Sequence, residues 1–282
     1  MAVPFGQDIR SDTGKREAQS RIAVLAFIIG AFCSGAPAAE PERPRVDLEL
    51  VLAVDVSSSM SLSEQRVQRD GYVSAFRHPE LTRSILSGRR GMIAVSYLEW
   101  AGPSYQRIVR PWTIVGSYDE ARRFADALAI EPLMAQPGTS ISGALLSAGD
   151  LFARSSTATA RRVIDVSGDG PNNAGPPVAP IRDRLTSSGI TINGLPVSLP
   201  RHGSNGFQSF GEHYLNLYYE HCVIGGPDAF VIGIDDLAQF ERAIRRKLVL
   251  EIAGMPPRPR LASYRLAAGS AFDCSMIGTS AR

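Results

Sequence analysis

The hydrophobic pattern of the chain changes period repeatedly, and each change marks a new element. Val46-Asp-Leu-Glu-Leu-Val-Leu-Ala-Val54 is a nearly continuous apolar run with branched side chains, as expected of a strand buried on both faces. From Ser63 the apolar positions Val67, Tyr72, Val73 and Phe76 fall near helical spacing until His78-Pro79 stops them. Gly91 to Trp100 reads as a second strand, and Gln106 to Ile114 as its hairpin return at a sheet edge. Helices are expected over Tyr118 to Ala129, with Phe124, Ala125 and Leu128 along one face, and over Ile141 to Phe152. Arg162 to Ser167 is the next core strand, followed by a helix near Val178 to Ser188 and a strand over Ile190 to Pro196. A final strand, Ala229 to Gly233, precedes a helix from about Leu237 to Ile252. This alternation predicts an α/β fold: a doubly wound, mostly parallel, Rossmann-like sheet with helices on both faces.

The first forty residues depart from that pattern. A basic, polar lead through Lys15, Arg16 and Arg21 runs into Ile22-Ala-Val-Leu-Ala-Phe-Ile-Ile-Gly30, and small residues follow at Ala36-Pro-Ala38-Ala39. Residues 1–39 therefore read as a secretory signal cleaved after Ala38 or Ala39, with an uncleaved anchor as the alternative. The lead is long enough to suggest a start downstream of Met1. Its apolar run is too short for a mature spanning helix, so no stable membrane insertion is expected after cleavage. Phe32, ahead of Cys33, is too bulky for a lipoprotein cleavage box. Residues 40–46 form a linker, 47–255 the domain, and 256–282 an irregular tail. The expected location is periplasmic or secreted. Cleavage would leave Cys222 and Cys274 as the only cysteines, and an oxidising compartment permits them to pair, pinning the tail.

Composition narrows the chemistry. The 282 residues carry a formal net charge of +2, too small to suggest nucleic acid as a partner. The 4 histidines are scattered, so neither a zinc cluster nor a histidine-based catalytic pair is indicated. Oxygen-bearing side chains gather instead in three loops at the strand ends, where open α/β sheets bind ligands. Asp55-Val-Ser57-Ser-Ser59 follows the first strand, Gly138-Thr139-Ser140 precedes a helix, and Ser167-Gly168-Asp169-Gly170 follows a strand. Taken singly, Asp-x-Ser-x-Ser is ordinary capping chemistry. Three such loops on one sheet edge point to a hard cation, with Gly138, Gly168 and Gly170 permitting sharp turns around it.

Asp55-x-Ser57-x-Ser59, Thr139 and Asp169-Gly170 together resemble the metal-ion-dependent adhesion site of von Willebrand factor type A domains. The stretches Glu99-Trp-Ala-Gly102, Ser167 to Asn173 and Val223-Ile-Gly-Gly-Pro227 are similar to a bacterial family of exported type A proteins known only as a domain of unknown function. The resemblance implies that Ser57, Ser59 and Thr139 supply hydroxyl ligands, while Asp55 and Asp169 act directly or through water. The implied ion is Mg²⁺, with Mn²⁺ or Ca²⁺ as alternatives. A divalent ion held mainly by neutral hydroxyls stays under-neutralised, so the expected partner is a protein presenting Asp or Glu. With ordinary carboxylate pKa values of about 3.9, both aspartates would be ionised at neutral pH and metal loss would need acid.

Asn172, Asn173 and Trp100 are candidates for the partner face, set against turn chemistry for the asparagines and an edge-of-core role for the tryptophan. His202 to Gly206 is a polar insertion, either a specificity loop or a solvated connection. Arg242, Arg245, Arg246 and Lys247 are expected to face water on the last helix. Glu64 and Glu99 have no histidine or lysine placed to complete a nucleophile–base pair with Ser57 or Ser59, so an enzyme is not expected. The functional expectation is an exported, metal-dependent adhesion module; the alternative is a metal-assisted hydrolase of phosphoesters.

Overall fold

In the computed structural model the described residues are 43–199, 212–255 and 272–274. The expected signal and the insertion at His202 to Gly206 lie outside them, as does most of the tail.

The apolar run after the linker becomes β1 (Glu49–Asp55), with every residue buried. It forms the middle of a five-stranded sheet ordered β3-β2-β1-β4-β5. Its neighbours β2 (Ile93–Trp100) and β4 (Arg162–Gly168) run parallel to it, as β5 (Ile190–Pro196) does to β4. Only β3 (Gln106–Val115), at the edge, is antiparallel, and its register with β2 shifts around Tyr97.

The period of two along the central strands divides the core. Leu48, Leu50, Leu52 and Val54 pack with α1 (Leu62–Arg77), α3 (Tyr118–Ala129) and the last helix, α7 (Phe240–Ala253). Val51, Ala53, Ile164 and Val166 face α4 (Ile141–Ala153) and α5 (Val178–Ser187). Helices therefore cover both faces, as the alternation predicts. Among the described residues no helix is long and apolar enough to cross a membrane.

Four expectations are corrected. His78-Pro79 ends α1 but also starts α2 (Pro79–Leu86), because the residue before proline is held extended while proline suits a first helical position. Ala229 to Gly233 is not a strand. Within it Val231 forms an isolated bridge to Gly194, as Ile234 just beyond does to Val197, and the Phe230 amide is diverted to Asn193 Oδ1 at 3.0 Å. The chain between β5 and that segment, for which the pattern predicts no element, contains α6 (Glu212–Tyr218) and a wide π-helical turn, Tyr219–Val223.

The fourth correction concerns the last helix. Arg242 and Arg246 face water, but Lys247 is fully buried. Its Nζ lies 2.5 Å from both Asp165 Oδ1 of β4 and Glu251 Oε1 one turn along α7. Position 247 adjoins the stripe of Phe240, Ile244 and Leu248 that α7 buries, so helical period carries the ammonium inward.

Cys222 of the π turn and Cys274 form a disulfide with a Cα–Cα distance of 5.6 Å. Phe272 beside it stacks on His221 and packs against Tyr214 and Tyr218.

Candidate metal centre

The three loops meet at the carboxyl ends of β1 and β4. Asp55 closes β1 with its side chain fully buried, and the Ser57 amide donates to Asp55 Oδ1 at 2.7 Å, turning the chain sharply. The hydroxyls of Ser57 and Ser59 lie 2.7 Å apart, and Ser59 Oγ donates to Asp169 Oδ1 at 2.7 Å. The Asp169 amide in turn bonds to the Asp55 carboxylate. Four of the five expected ligands thus belong to one hydrogen-bonded chain.

Thr139 is held beside them by its backbone. Gln136 bridges to Ser57, with the Ser58 amide donating to Gln136 O at 2.7 Å. The Thr139 amide donates to Asn173 Oδ1 at 2.9 Å, and the Asn173 amide returns a bond to Thr139 O at 2.9 Å. Thr139 is only 4% exposed. Gly138, at φ +83°, takes the left-handed turn that feeds it, and a Cβ there would stand 3.1 Å from the Gly102 Cα. Gly168 serves close approach instead: a Cβ would meet the Tyr219 hydroxyl at 2.8 Å and Asp55 Oδ2 at 2.9 Å. Gly170 meets neither condition, since its Cβ position is open and its φ is not positive.

The residues expected at the partner face are placed differently. Trp100 is completely buried, with its ring beneath Gly168, and has no surface to offer a partner. Asn172 Oδ1 accepts from the Ser142 amide and hydroxyl at 3.0 and 3.1 Å, so it and Asn173 lash the third loop to the second. Glu99 is also buried, paired with Arg69 and, at 3.5 Å, with Arg107.

Supports from α1 have no motif of their own in the sequence. Gln65 Nε2 reaches the carbonyls of Val56, Ser57 and Met60 at 3.2 to 3.3 Å, and Gln68 Nε2 donates to Asp55 O at 2.9 Å. These two amides satisfy loop carbonyls that would otherwise be buried unpaired. Their one sequence signal is that both are polar on an otherwise inward helical face.

The electrostatics of Asp55 depart from expectation. Burial first, and then the charge of Asp169, hold its carboxyl well above the ordinary carboxylate range, against bonds from Ser57 and the Asp169 amide. Asp55 Oδ2 is buried without a hydrogen-bond partner. A buried acceptor of this kind beside a second carboxylate is what a cation would satisfy, and the serine hydroxyls nearby suit a hard ion. Among the described residues no cluster of three or more His, Cys, Asp or Glu is placed to hold a metal, so such a centre would rest on hydroxyls.

Comparison with known proteins agrees with the architecture. A von Willebrand factor type A protein from Catenulispora acidiphila superposes with a TM-score of 0.51 at 15% identity, over 74% of this chain and 43% of that one. The open conformation of the pilus adhesin SpaC from Lactobacillus rhamnosus GG gives 0.54 at 13% identity, over 75% and 31%. A second crystal form of proximal thread matrix protein 1 from the mussel byssus gives 0.51 at 13% identity, over 76% and 49%. The chain spans less than half of each of these proteins, and at such identities the likeness is one of fold. No curated protein matches the chain. Residues 45–256, most of the sequence and all three loops, match the family described as Protein of unknown function (DUF1194), and the chain belongs to that family, whose fold here is that of a von Willebrand factor type A domain.

Proposed function

We propose that this chain is an exported binding module that holds one divalent cation at the β1 and β4 loops and uses it to engage an acidic residue of a protein partner. One observation carries the reading: Asp55, Ser57, Ser59 and Asp169 are already joined in one hydrogen-bonded chain, Asp55 through the Ser57 amide and the others through their side chains, with Asp55 Oδ2 left buried and unpartnered. Ser57, Ser59 and Thr139 would give hydroxyl oxygens, and Asp55 and Asp169 would bind directly or through water. The ion would act as a Lewis acid toward a carboxylate from outside, and Mg²⁺ is the first choice for an all-oxygen donor set.

The chain's own residues prepare that role. Gln65 and Gln68 fix the first loop, and Asn172 and Asn173 fix the second against the third, so the hydroxyls need little reordering when an ion enters. A pilus adhesin among the proteins of like fold supports protein binding. The disulfide suits an oxidising compartment and supports export.

Calorimetric titration with Mg²⁺ and Mn²⁺ tests the centre. Binding is expected in the wild type, lost in Asp55→Ala and weakened in Thr139→Ala. Capture of proteins from periplasmic extract, with and without chelator, tests the partner. Mg²⁺-dependent phosphoester turnover that disappears in Asp55→Ala would overturn the adhesion reading in favour of a hydrolase.

A further inference from the structure

Next to the loop cluster lies the π turn Tyr219–Val223, with Tyr219, Cys222 and Val223 buried and Glu220 and His221 exposed. Its first residue, Tyr219, is fully buried, and its hydroxyl has no hydrogen-bond partner. That hydroxyl and Asp55 Oδ2 both lie within 2.9 Å of one point, the place a Cβ would occupy on Gly168. The two unpartnered oxygens are therefore within two hydrogen-bond lengths of each other, across a gap kept open by the missing side chain at 168. A phenol donates and a carboxylate accepts, so their chemistry is complementary.

The neighbouring tyrosine touches the same cluster. Tyr218, also buried, accepts from the Asn172 amide at 3.2 Å in the loop that continues from Asp169. Consecutive residues of one turn thus point one hydroxyl at the gap beside Asp55 Oδ2 and bond the other to the third loop. The wide turn is what permits it: the Ile224 amide closes on Tyr219 O at 2.9 Å, five residues back. The turn is anchored from outside by Arg182, whose guanidinium donates to His221 O and Ile224 O at 3.1 and 3.2 Å, and by the Cys222–Cys274 disulfide.

We propose that Tyr219 is a positioning residue of the cation centre, its hydroxyl orienting Asp55 Oδ2, and that the Cys222–Cys274 disulfide acts on the centre by holding Tyr219 in place. The inference rests on the cation reading of the three loops and adds to it a floor supplied by a segment 50 residues downstream of Asp169. Outer partners of ligating carboxylates commonly govern metal affinity as strongly as some ligands do.

The test is a double-mutant cycle on Mg²⁺ affinity, read by calorimetry, with the melting temperature of the metal-free protein measured alongside. Tyr219→Phe keeps the ring and removes only the hydroxyl. It is expected to weaken Mg²⁺ by about tenfold, the lower end for such outer partners, with little change in metal-free melting. Cys222→Ala with Cys274→Ala is expected to weaken Mg²⁺ as well. Adding Tyr219→Phe to that pair should cost little more, because both changes act on the placement of one hydroxyl.

Unchanged affinity in Tyr219→Phe overturns the positioning role while leaving the cation reading intact. Additive losses overturn the link to the disulfide. Wild-type protein that binds no Mg²⁺ or Mn²⁺ removes the centre itself and the inference with it. If the cysteine pair does not fold, the cycle is run with Arg182→Met, which frees the same turn without touching the disulfide; non-additivity with Tyr219→Phe is again the expected result.

Discussion

Strand β4 and the loop at its exit each contribute one acid to a carboxylate pair whose other member is buried, and the pairs are finished differently. Within the sheet, Asp165 faces Glu251, and the Lys247 ammonium sits 2.5 Å from each. Four residues on, at the strand exit, Asp169 faces Asp55 through serine hydroxyls and a backbone amide. Burial raises the carboxyls of Asp55 and Asp165 alike, but Lys247 pulls Asp165 back, whereas the main charge acting on Asp55 is the repulsive one of Asp169. A pair that carries its own cation is a structural strut. The pair that lacks one at Asp55 Oδ2 is the pair that we propose takes a cation from solution.

The largest effect is expected from removing the built-in cation. Lys247→Met leaves two buried carboxyls facing each other and should cost about 3 to 5 kcal/mol of unfolding free energy, measured in urea. By contrast Asp55→Asn, measured without metal, should leave stability unchanged or raise it, since it relieves a like-charge contact. Equal losses in the two variants would dissolve the distinction.

Adding the external cation is the next test. Mg²⁺ at one hundred times its dissociation constant should stabilise the wild type by about 2.7 kcal/mol and Asp55→Asn not at all. Lys247 variants that still fold should keep that increment, because their lesion lies in the other pair.

A third measurement uses pH. Glu251 is pushed up from 4.5 to about 7, first by burial and then by Asp165, against Lys247 and Asn193. Between these values the folded chain binds more protons than the unfolded chain. The contribution to stability is therefore full below pH 4.5 and is lost as pH rises through 7, with a slope of at most about 1.4 kcal/mol per pH unit for one proton. Denaturation midpoints across this range should show that fall in the wild type, and it should be smaller in Glu251→Gln, where only the raised carboxyls of Asp55 and Asp165 remain to contribute. The smallest effect marks the edge of the loop pair: Gly170→Ala, with open space at its Cβ, should shift stability by less than about 0.5 kcal/mol and leave Mg²⁺ affinity unchanged.

What the chain reveals before folding follows the reach of each signal. The strand β5 and the helix α3 have the limits that their apolar periods imply, because burial on one or both faces is written into neighbouring residues. The clustering of Asp55, Ser57, Ser59 and Asp169 was legible for a related reason, since strand exits on one sheet edge must converge. Contacts between distant segments were not. Nothing near Tyr219 announces that its hydroxyl ends beside Asp55, and nothing near Asn172 announces Ser142. Lys247 was misread because a charged residue was assigned to solvent by type, although its place on the helix put it inside. Trp100 reads from the sequence as an edge-of-core aromatic somewhat more than as a partner-face residue, and its full burial under Gly168 places it in the core.

The disulfide has a covalent consequence of its own. Cys222 and Cys274 are 52 positions apart, and α7 with its buried lysine lies inside the ring they close. A single protease cut anywhere between them would leave two pieces that migrate as one on a gel until thiol is added. The domain can therefore be nicked in that interval without shedding its final helix.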